Sequence, residues 1–259
     1  MTACTNHPEF PQPNEPTAAL WRYMDLMKFE WLVSTSRVLM SSVDRLGDHW
    51  EGTNLQGHSD WWNHQIAIAT TDEQRGTLQH NRDFIGKMTQ AFRAHYYVSC
   101  WHRNEHENYA MWSCYTTTPE SVAIKTRYDL LVDALPSYSL VGNVRYVDYS
   151  MMRQPSMNML EVIMHKDAYF TFEQETRAVV LPPATHPVEI AHFRDNHFTL
   201  EADSTFRCLA PTVHLAKLVT AVVLHPEASA AFSEKVAALC STNGLPAPIQ
   251  SRRTQPLGG

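Results

Sequence analysis

Glycine is scarce in this sequence, with nine residues among 259. The chain contains no Gly-x-Gly-x-x-Gly, Walker-type or Gly-x-Ser-x-Gly segment. Glycine-rich loops bind phosphate because their backbone N–H groups can approach it closely, so the common dinucleotide and P-loop motifs are excluded. A phosphate site in this protein would have to be built in another way.

Cysteine is also sparse and shows no pairing pattern. The five residues are odd in number and scattered, and they include no Cys-x-x-Cys pair (Cys4, Cys100, Cys114, Cys208, Cys240). We interpret them as reduced thiols of a cytoplasmic protein, because an oxidising compartment favours even sets at compact spacings. A zinc site would need close pairs of ligands, which these cysteines do not provide.

Long apolar runs and basic runs are missing as well. No stretch approaches the roughly 18 apolar residues that a membrane-spanning helix needs. The first residues, MTACTNHPEFPQPNEPT, lack the basic start and apolar centre of a secretory signal. The formal net charge is −6 at pH 7, and the longest Lys/Arg run is Arg252-Arg253. We therefore expect neither a membrane nor a nucleic acid as partner.

The residues that are present predict intermixed strands and helices around a sizeable core. The apolar fraction is 44%, and no regular βαβ alternation is visible. The fold class is therefore predicted as α+β, with mixed, mostly antiparallel sheets and surrounding helices. Strands are predicted at 20–24, 38–43, 96–102, 121–126, 141–150 and within EQETRAVVL, ADSTFRCLA and LVTAVVLHP, and helices at 25–36, 60–94, 107–115, 128–135 and within EASAAFSEKVAALCSTNG.

The chain is predicted to form one domain with loose ends. Residues 1–17 hold four prolines and little apolar content, which is typical of a flexible arm. Residues 251–259 have a similar character. Between these ends, no Gly/Ser tract, charge block or repeat divides residues 18–250.

The segment FEQETR provides one candidate site. On a strand, Glu173, Glu175 and Arg177 would share a face, because side chains alternate with a period of two. Such a row can be a solvated strand face. It can also face a pocket, where Glu175 stabilises positive charge and Arg177 holds an anion. The apolar residues on both sides favour the pocket.

The segment HRNEH at 102–106 matches a zinc-peptidase arrangement, in which two histidines one helical turn apart bind the metal and Glu105 acts as base. It directly follows a strand pattern, which places His102 at a strand end and His106 at a helix start. That placement breaks the required geometry, so we predict no metal site. A zinc hydrolase remains an alternative.

Two further polar features accompany these segments. Arg22 interrupts an aromatic strand, where it either extends to solvent or binds a phosphate or carboxylate. The polar stretch from Asn104 to Asn108 leads to Trp112. It can serve only as a helix cap or can contribute to the same pocket.

Nearly the whole chain, from about Leu20 to Ser251, resembles the family of domain of unknown function 2971. That family name implies no function. The segments that carry the resemblance are LWRYMDLMKFEWLVSTSRVLMSSVDRLGDHWEG, YYVSCWHRNEHENYAMWSCYTTTPESVAIKT, GNVRYVDYS, KDAYFTFEQETRAVV and VVLHPEASAAFSEKVAALCSTNGLPAPIQSR.

The order of the segments is more distantly similar to the ADP-ribosyltransferase superfold. Arg22 corresponds to the Arg or His of its first strand, Lys125-Thr126 to the end of its second element, and Glu173-x-Glu175 to its acidic motif. The resemblance implies that Arg22 anchors a phosphate or ribose of NAD. It also implies that Glu175 stabilises the ribosyl cation as nicotinamide leaves.

We therefore expect an enzyme that acts at the N-glycosidic bond of NAD or a related nucleotide, by transfer or hydrolysis. NAD would be its substrate, and no cofactor would be bound permanently. A sensor that binds a nucleotide without turnover, and an interaction module with an aromatic face, remain open as alternatives. The expected catalytic residues are Arg22, Glu173 and Glu175, and the expected ligand contacts are Tyr23, Asn108, Trp112, Thr126 and Arg177.

Overall fold

The computed structural model describes residues 2–156, 158–180, 190–194, 197–200 and 208–252. Its strands are Ala19–Asp25 (β1), Met40–Ser42 (β2), Tyr97–Arg103 (β3), Ser121–Arg127 (β4), Ser139–Asn143 (β5), Arg145–Val147 (β6), His165–Asp167 (β7), Glu175–Val180 (β8), Ile190–Arg194 (β9), His197–Leu200 (β10), Cys208–Leu209 (β11) and Ala221–Leu224 (β12). Its α-helices are Leu26–Thr35 (α1), Gln56–Ile68 (α2), Asp72–Arg93 (α3), Tyr109–Tyr115 (α4), Tyr128–Ala134 (α5), Met159–Met164 (α6), Leu215–Leu218 (α7) and Ala230–Thr242 (α8), and short 3-10 helices span Val43–Arg45 and Ala168–Glu173.

Most of the strands form one antiparallel sheet, which confirms the α+β prediction. Its order is β10-β9-β11-β2-β3-β1-β4-β12, and β8 and β5 extend it from β3. The strands β6 and β7 pair separately and in parallel. No helix in the described part of the chain is both long and apolar enough to cross a membrane.

The largest core covers one face of β1, β4 and β12. Apolar residues at alternate positions of β1, such as Leu20 and Met24, point to this face because strand side chains alternate. Helix α1 packs on it through Phe29, Leu32 and Val33, and α5 and α8 complete the layer. The opposite face of β1 packs against α4.

The chain from 141 to 150 was predicted as one strand, but the structure divides it. Strand β5 belongs to the large sheet, whereas β6 pairs with β7 in the small one. Val144, between them, donates its N–H to the carbonyl oxygen of Glu175. The alternating pattern therefore predicted the extended backbone correctly and the number of strands wrongly.

The N-terminal segment lies against the domain, which differs from the loose arm expected for residues 1–17. Phe10 is only 1% exposed. Ala3 donates its N–H to Val132, and Cys4 donates to Ser139. A few apolar residues that fit the surface outweigh the proline-rich composition here. At the other end, the Ser251 hydroxyl donates to Glu107, while residues 253–259 of the predicted tail lie outside the described residues.

Replacing Gly142 with alanine should loosen this N-terminal segment. A Cβ at position 142 would lie 2.7 Å from the backbone of Phe10, so the segment must shift. We expect a loss of about 1–2 kcal/mol in the free energy of unfolding and faster proteolysis before Ala18. Gly76→Ala is the control for proteolysis, because no atom of the described residues outside its own helix backbone lies within 4 Å of that added Cβ. Unchanged proteolysis in Gly142→Ala would contradict the docked arrangement.

Candidate functional site

The large sheet opens between β1 and β2. Strand β8 pairs with one edge of β3 from Tyr97 to His102. On the other edge, β2 pairs with the start of β3 and β1 pairs with its end. The described strands β1 and β2 share this edge of β3 without pairing with each other. A cleft of about 580 Å³ lies at the opening, which is a size typical of small-molecule sites.

Four of the predicted site residues line this cleft: Arg22, Tyr23, Glu173 and Glu175. They come from two strands and a 3-10 helix that are far apart in the sequence. The sheet register explains their arrangement, because Trp21 pairs with His102 and His102 pairs with Glu175. Tyr23 therefore shares a face with Glu175, and Arg22 extends to the opposite face, where α1 packs. Both faces reach the cleft because the sheet is open there.

A buried ionic cluster forms the wall of the cleft on the β8 side. Lys166 Nζ lies 2.8 Å from Glu51 Oε1, 2.5 Å from Glu173 Oε2 and 3.4 Å from Glu175 Oε2. Arg177 Nε lies 2.6 Å from Glu175 Oε1, and Arg177 Nη2 lies 3.0 Å from Glu51 Oε1. Three carboxylates thus face two cations, which leaves one negative charge in excess. We call these five residues the ionic cluster.

The pKa values in the cluster are set by burial and by its charges. Burial opposes ionisation of Glu175, but Arg177 and Lys166 outweigh it and lower the pKa of Glu175 to about 2. Burial dominates at Glu173 and raises its pKa, although Lys166 and Tyr115 act in the other direction. Glu175 is therefore a permanent anion, whereas Glu173 is the carboxylate suited to exchange a proton.

Glu173 was predicted to lie on a strand with Glu175, and this prediction is wrong. Glu173 ends the 3-10 helix, and Gln174 adopts a left-handed conformation with φ 43°. This turn at Gln174 directs both neighbouring carboxylates toward Lys166. A non-glycine residue at positive φ is uncommon, and such conformations occur often at functional sites.

Arg177 is in the cluster but does not face the cleft, which differs from its predicted role as an anion ligand. Its side chain is fully buried. The guanidinium binds Glu175 through two nitrogens and donates to the carbonyl oxygen of Ile163 at 2.5 Å. Its donors are thus used to hold the carboxylates in place.

Arg22 bridges the opening of the sheet. Its Nη2 donates to the carbonyl oxygen of Leu39 at 2.8 Å, and the guanidinium lies 5.7 Å from the centre of the Trp101 ring. Burial lowers the pKa of Arg22, but arginine stays charged in proteins. Further charged side chains line the cleft: Lys28 of α1, Arg37, Arg45 and Asp48. Arg22 and Lys28 thus place positive charge on the α1 side, and the ionic cluster places negative charge on the β8 side.

The other predicted ligand contacts lie outside the cleft lining. Trp112 is buried and packs edge-on against Tyr23, with ring centres 4.9 Å apart. Asn108 caps α4 and donates its N–H to the Tyr23 hydroxyl at 2.8 Å. Both residues position Tyr23. Thr126 is buried in β4, where it pairs with Leu20, so sequence similarity placed it in the wrong environment.

The segment 102–106 does not have the geometry of the zinc alternative. His102 lies in β3, and His106 lies in the turn after it, on the way to α4. His102 Nδ1 is hydrogen-bonded to the backbone carbonyl oxygen of Glu173. Among the described residues, no group of three or more His, Cys, Asp or Glu side chains is arranged to hold a metal ion.

Sequence reasoning missed two members of the ionic cluster, Lys166 and Glu51. Lys166 lies on β7, and Glu51 lies in a turn between the 3-10 helix Val43–Arg45 and α2. Aromatic side chains at the cleft were also missed as a group: Trp31, Tyr115, Phe170 and Phe172. The aromatic content of AYFTF near the acidic residues was the available signal.

Comparisons of the chain with protein-family models, with curated proteins and with solved structures found no match. The candidate site therefore has to be interpreted from its own geometry and charge.

Proposed function

We propose that the protein binds NAD or a related dinucleotide in the cleft and cleaves the bond between nicotinamide and ribose, by transfer or hydrolysis. The observation that carries this proposal is the charge separation along the cleft. The ionic cluster has a net negative charge on one side, and Arg22 and Lys28 are positive on the other. NAD has the matching pattern, with a cationic nicotinamide ring and an anionic diphosphate.

The proposed step needs no group beyond those at the cleft and the acceptor. The C1′–N bond breaks, and its electron pair goes to the nicotinamide nitrogen, which becomes neutral. The ribosyl group is left as an oxocarbenium ion, which the anionic Glu175 stabilises. Water or an acceptor hydroxyl then adds to C1′, and its proton goes to Glu173. The raised pKa of Glu173 suits this role.

The diphosphate and the nicotinamide ring of NAD would be bound by the α1 side of the cleft and by its aromatic residues. Arg22 and Lys28 would contact the diphosphate, because guanidinium and ammonium groups bind phosphate oxygens strongly. Tyr23, held by Asn108 and Trp112, would pack against the nicotinamide ring. Phe172, which is exposed at the cleft, offers a second stacking surface.

One observation favours the sensor alternative. Both oxygens of Glu175 accept hydrogen bonds from Arg177, and Glu175 is only 3% exposed. A carboxylate so fully bound could serve to shape the cleft for a cationic ligand without any turnover.

The experiment combines NAD turnover with NAD binding. Purified protein is incubated with NAD, and nicotinamide and ADP-ribosyl products are measured by mass spectrometry. Glu175→Gln should reduce nicotinamide release by about 10²–10³-fold, because it removes one preorganised charge at the reacting centre. This variant keeps two carboxylates against two cations, so the cluster stays compensated. Glu234→Gln, at an exposed position of α8, is the matched control and should leave release unchanged.

The outcomes separate the alternatives. A rise in melting temperature with NAD but no release by the wild type would support the sensor. If NAD and related nucleotides cause neither nicotinamide release nor a thermal shift, the proposal is overturned. The interaction module is then the alternative that is left.

A further inference from the structure

His102 has a fixed tautomer in the structure. Its Nδ1 lies 2.5 Å from the carbonyl oxygen of Glu173. A carbonyl oxygen can only accept, so Nδ1 must carry the proton and donate it. In a neutral imidazole the other nitrogen, Nε2, is then a bare acceptor.

This acceptor has no partner among the described residues. His102 Nε2 is buried and makes no hydrogen bond to any of them, and the residue as a whole is only 6% exposed. Burial lowers the pKa of His102 and the charge of Arg103 adds to this, and together they outweigh the hydrogen bond to Glu173, which acts in the opposite direction. The neutral form of the ring is therefore favoured at pH 7. A buried acceptor without a partner is unusual, because buried polar groups are nearly always hydrogen-bonded.

The position of His102 points to a ligand as the missing partner. The residue lines the cleft and pairs in register with Glu175 of β8. Its Nδ1 is hydrogen-bonded to the backbone of Glu173, so both residues that supply the carboxylates of the proposed reaction are its direct backbone neighbours. The centre of the Tyr23 ring lies 6.4 Å from that of the His102 ring, and the Tyr23 hydroxyl makes no hydrogen bond to Nε2.

We propose that His102 Nε2 accepts a hydrogen bond from a neutral N–H or O–H donor of the ligand, beside the bond that reacts. This inference rests on the proposed function and specifies the substrate. On NAD, the donors near the glycosidic bond are the carboxamide N–H₂ of nicotinamide and the hydroxyls of the adjoining ribose. Because Nε2 of the neutral ring can only accept, the site selects ligands that present a donor at this point. A protonated ring would instead donate from Nε2 and select an acceptor.

The first test measures the protonation of both His102 ring nitrogens in the ligand-free protein by NMR with ¹⁵N-labelled histidine. The His102 signals are assigned by their loss in His102→Gln. We expect a protonated Nδ1 and an unprotonated Nε2, which is the less common tautomer of free histidine. A protonated Nε2 at pH 7 would overturn the inference, whatever NAD does.

The second test adds ligand. NAD should move the Nε2 resonance of His102 and leave that of His165, a buried histidine outside the cleft, in place. If NAD binds and the His102 resonance does not move, the inference fails. If NAD does not bind, nicotinamide and ribose 5-phosphate are titrated separately. A shift with either one supports the inference while the proposed function fails, and no shift with both overturns the inference.

The third test identifies the donor by affinity. His102→Leu should weaken NAD binding by about 3- to 10-fold, the value of one neutral hydrogen bond, and His102→Gln should keep most of it because its amide oxygen accepts. Two analogues are compared with NAD in wild type and His102→Leu, one with a carboxylate in place of the carboxamide and one without the 2′ hydroxyl of the nicotinamide ribose. For each analogue, the ratio of NAD affinity to analogue affinity is measured in both proteins. The analogue for which this ratio is smaller in His102→Leu than in wild type lacks the donor that His102 binds. If this ratio is the same in wild type and His102→Leu for both analogues, the inference is overturned.

Discussion

Replacing Arg177 with methionine is expected to lower the free energy of unfolding by about 3–5 kcal/mol. Arg177 is fully buried, and it is bound to Glu175 and Glu51. Its removal leaves three buried carboxylates against Lys166 alone. Burying an uncompensated charge is costly, and methionine replaces the volume of the arginine stem but not its charge. Urea denaturation at pH 7 measures the change.

Arg145→Met is the matched control for this prediction. Arg145 also forms an ion pair, with Glu9 at 2.5 Å, but its side chain is 38% exposed. Pairs near the surface contribute little, so we expect a loss of about 1 kcal/mol or less. Adding Glu51→Gln to Arg177→Met should recover part of the larger loss, because one uncompensated carboxylate is removed. Equal losses for Arg177→Met and Arg145→Met would show that the ionic cluster is not a buried network.

Acid should destabilise the protein by about 3 kcal/mol through His58 alone. His58 is 2% exposed, and neither ring nitrogen has a hydrogen-bond partner in the part of the chain that the structure describes. Burial lowers the pKa of His58 from 6.5 to about 4, with Glu161 opposing and Arg153 and His165 adding to the shift. As the pH falls below 6.5, the unfolded chain binds this proton first. Stability is therefore lost from pH 6.5 down to pH 4, and it is fully present above pH 6.5.

The contribution of His58 can be isolated by comparing pH profiles. His58→Leu should show a flatter loss of stability between pH 6.5 and pH 4 than the wild type. His102, whose pKa burial also lowers, remains in both proteins and cancels in the difference. His64→Leu, at an exposed position of the same helix, should keep the wild-type profile. Identical profiles for His58→Leu and wild type would disprove the assignment.

The strand and helix pattern was predictable because local periodicity reports which face is buried. Strands β1, β3 and β4 lie where aromatic and β-branched runs placed them, and helices α1 and α8 begin and end close to the predicted positions. Gly244, the last residue of the predicted helical segment EASAAFSEKVAALCSTNG, follows α8 in a left-handed conformation with φ 65°. Errors arose where two elements meet: at the junction of β5 and β6, at Gln174, and at 69–71, where the helix predicted over 60–94 divides into α2 and α3.

The candidate site was only partly predictable. Arg22, Glu173 and Glu175 were selected as polar residues within apolar segments, and all three line the cleft. Thr126 was selected by position in a family pattern, and it is buried elsewhere. Lys166 and Glu51 could not be selected, because neither residue has a local pattern that distinguishes it from a surface charge.

The sequence by itself determined the fold class, the positions of most strands and helices and the polar residues that had no place in a core. Only the tertiary structure decided that Glu51 and Lys166 meet Glu175 and Arg177, that the sheet opens between β1 and β2, and that His102 is left with an unpaired nitrogen. The physical reason is that secondary structure depends on neighbours within a few residues. By contrast, the groups that compensate a buried charge or fix a histidine tautomer are distant in the sequence. Only the sheet register brings them within hydrogen-bond distance.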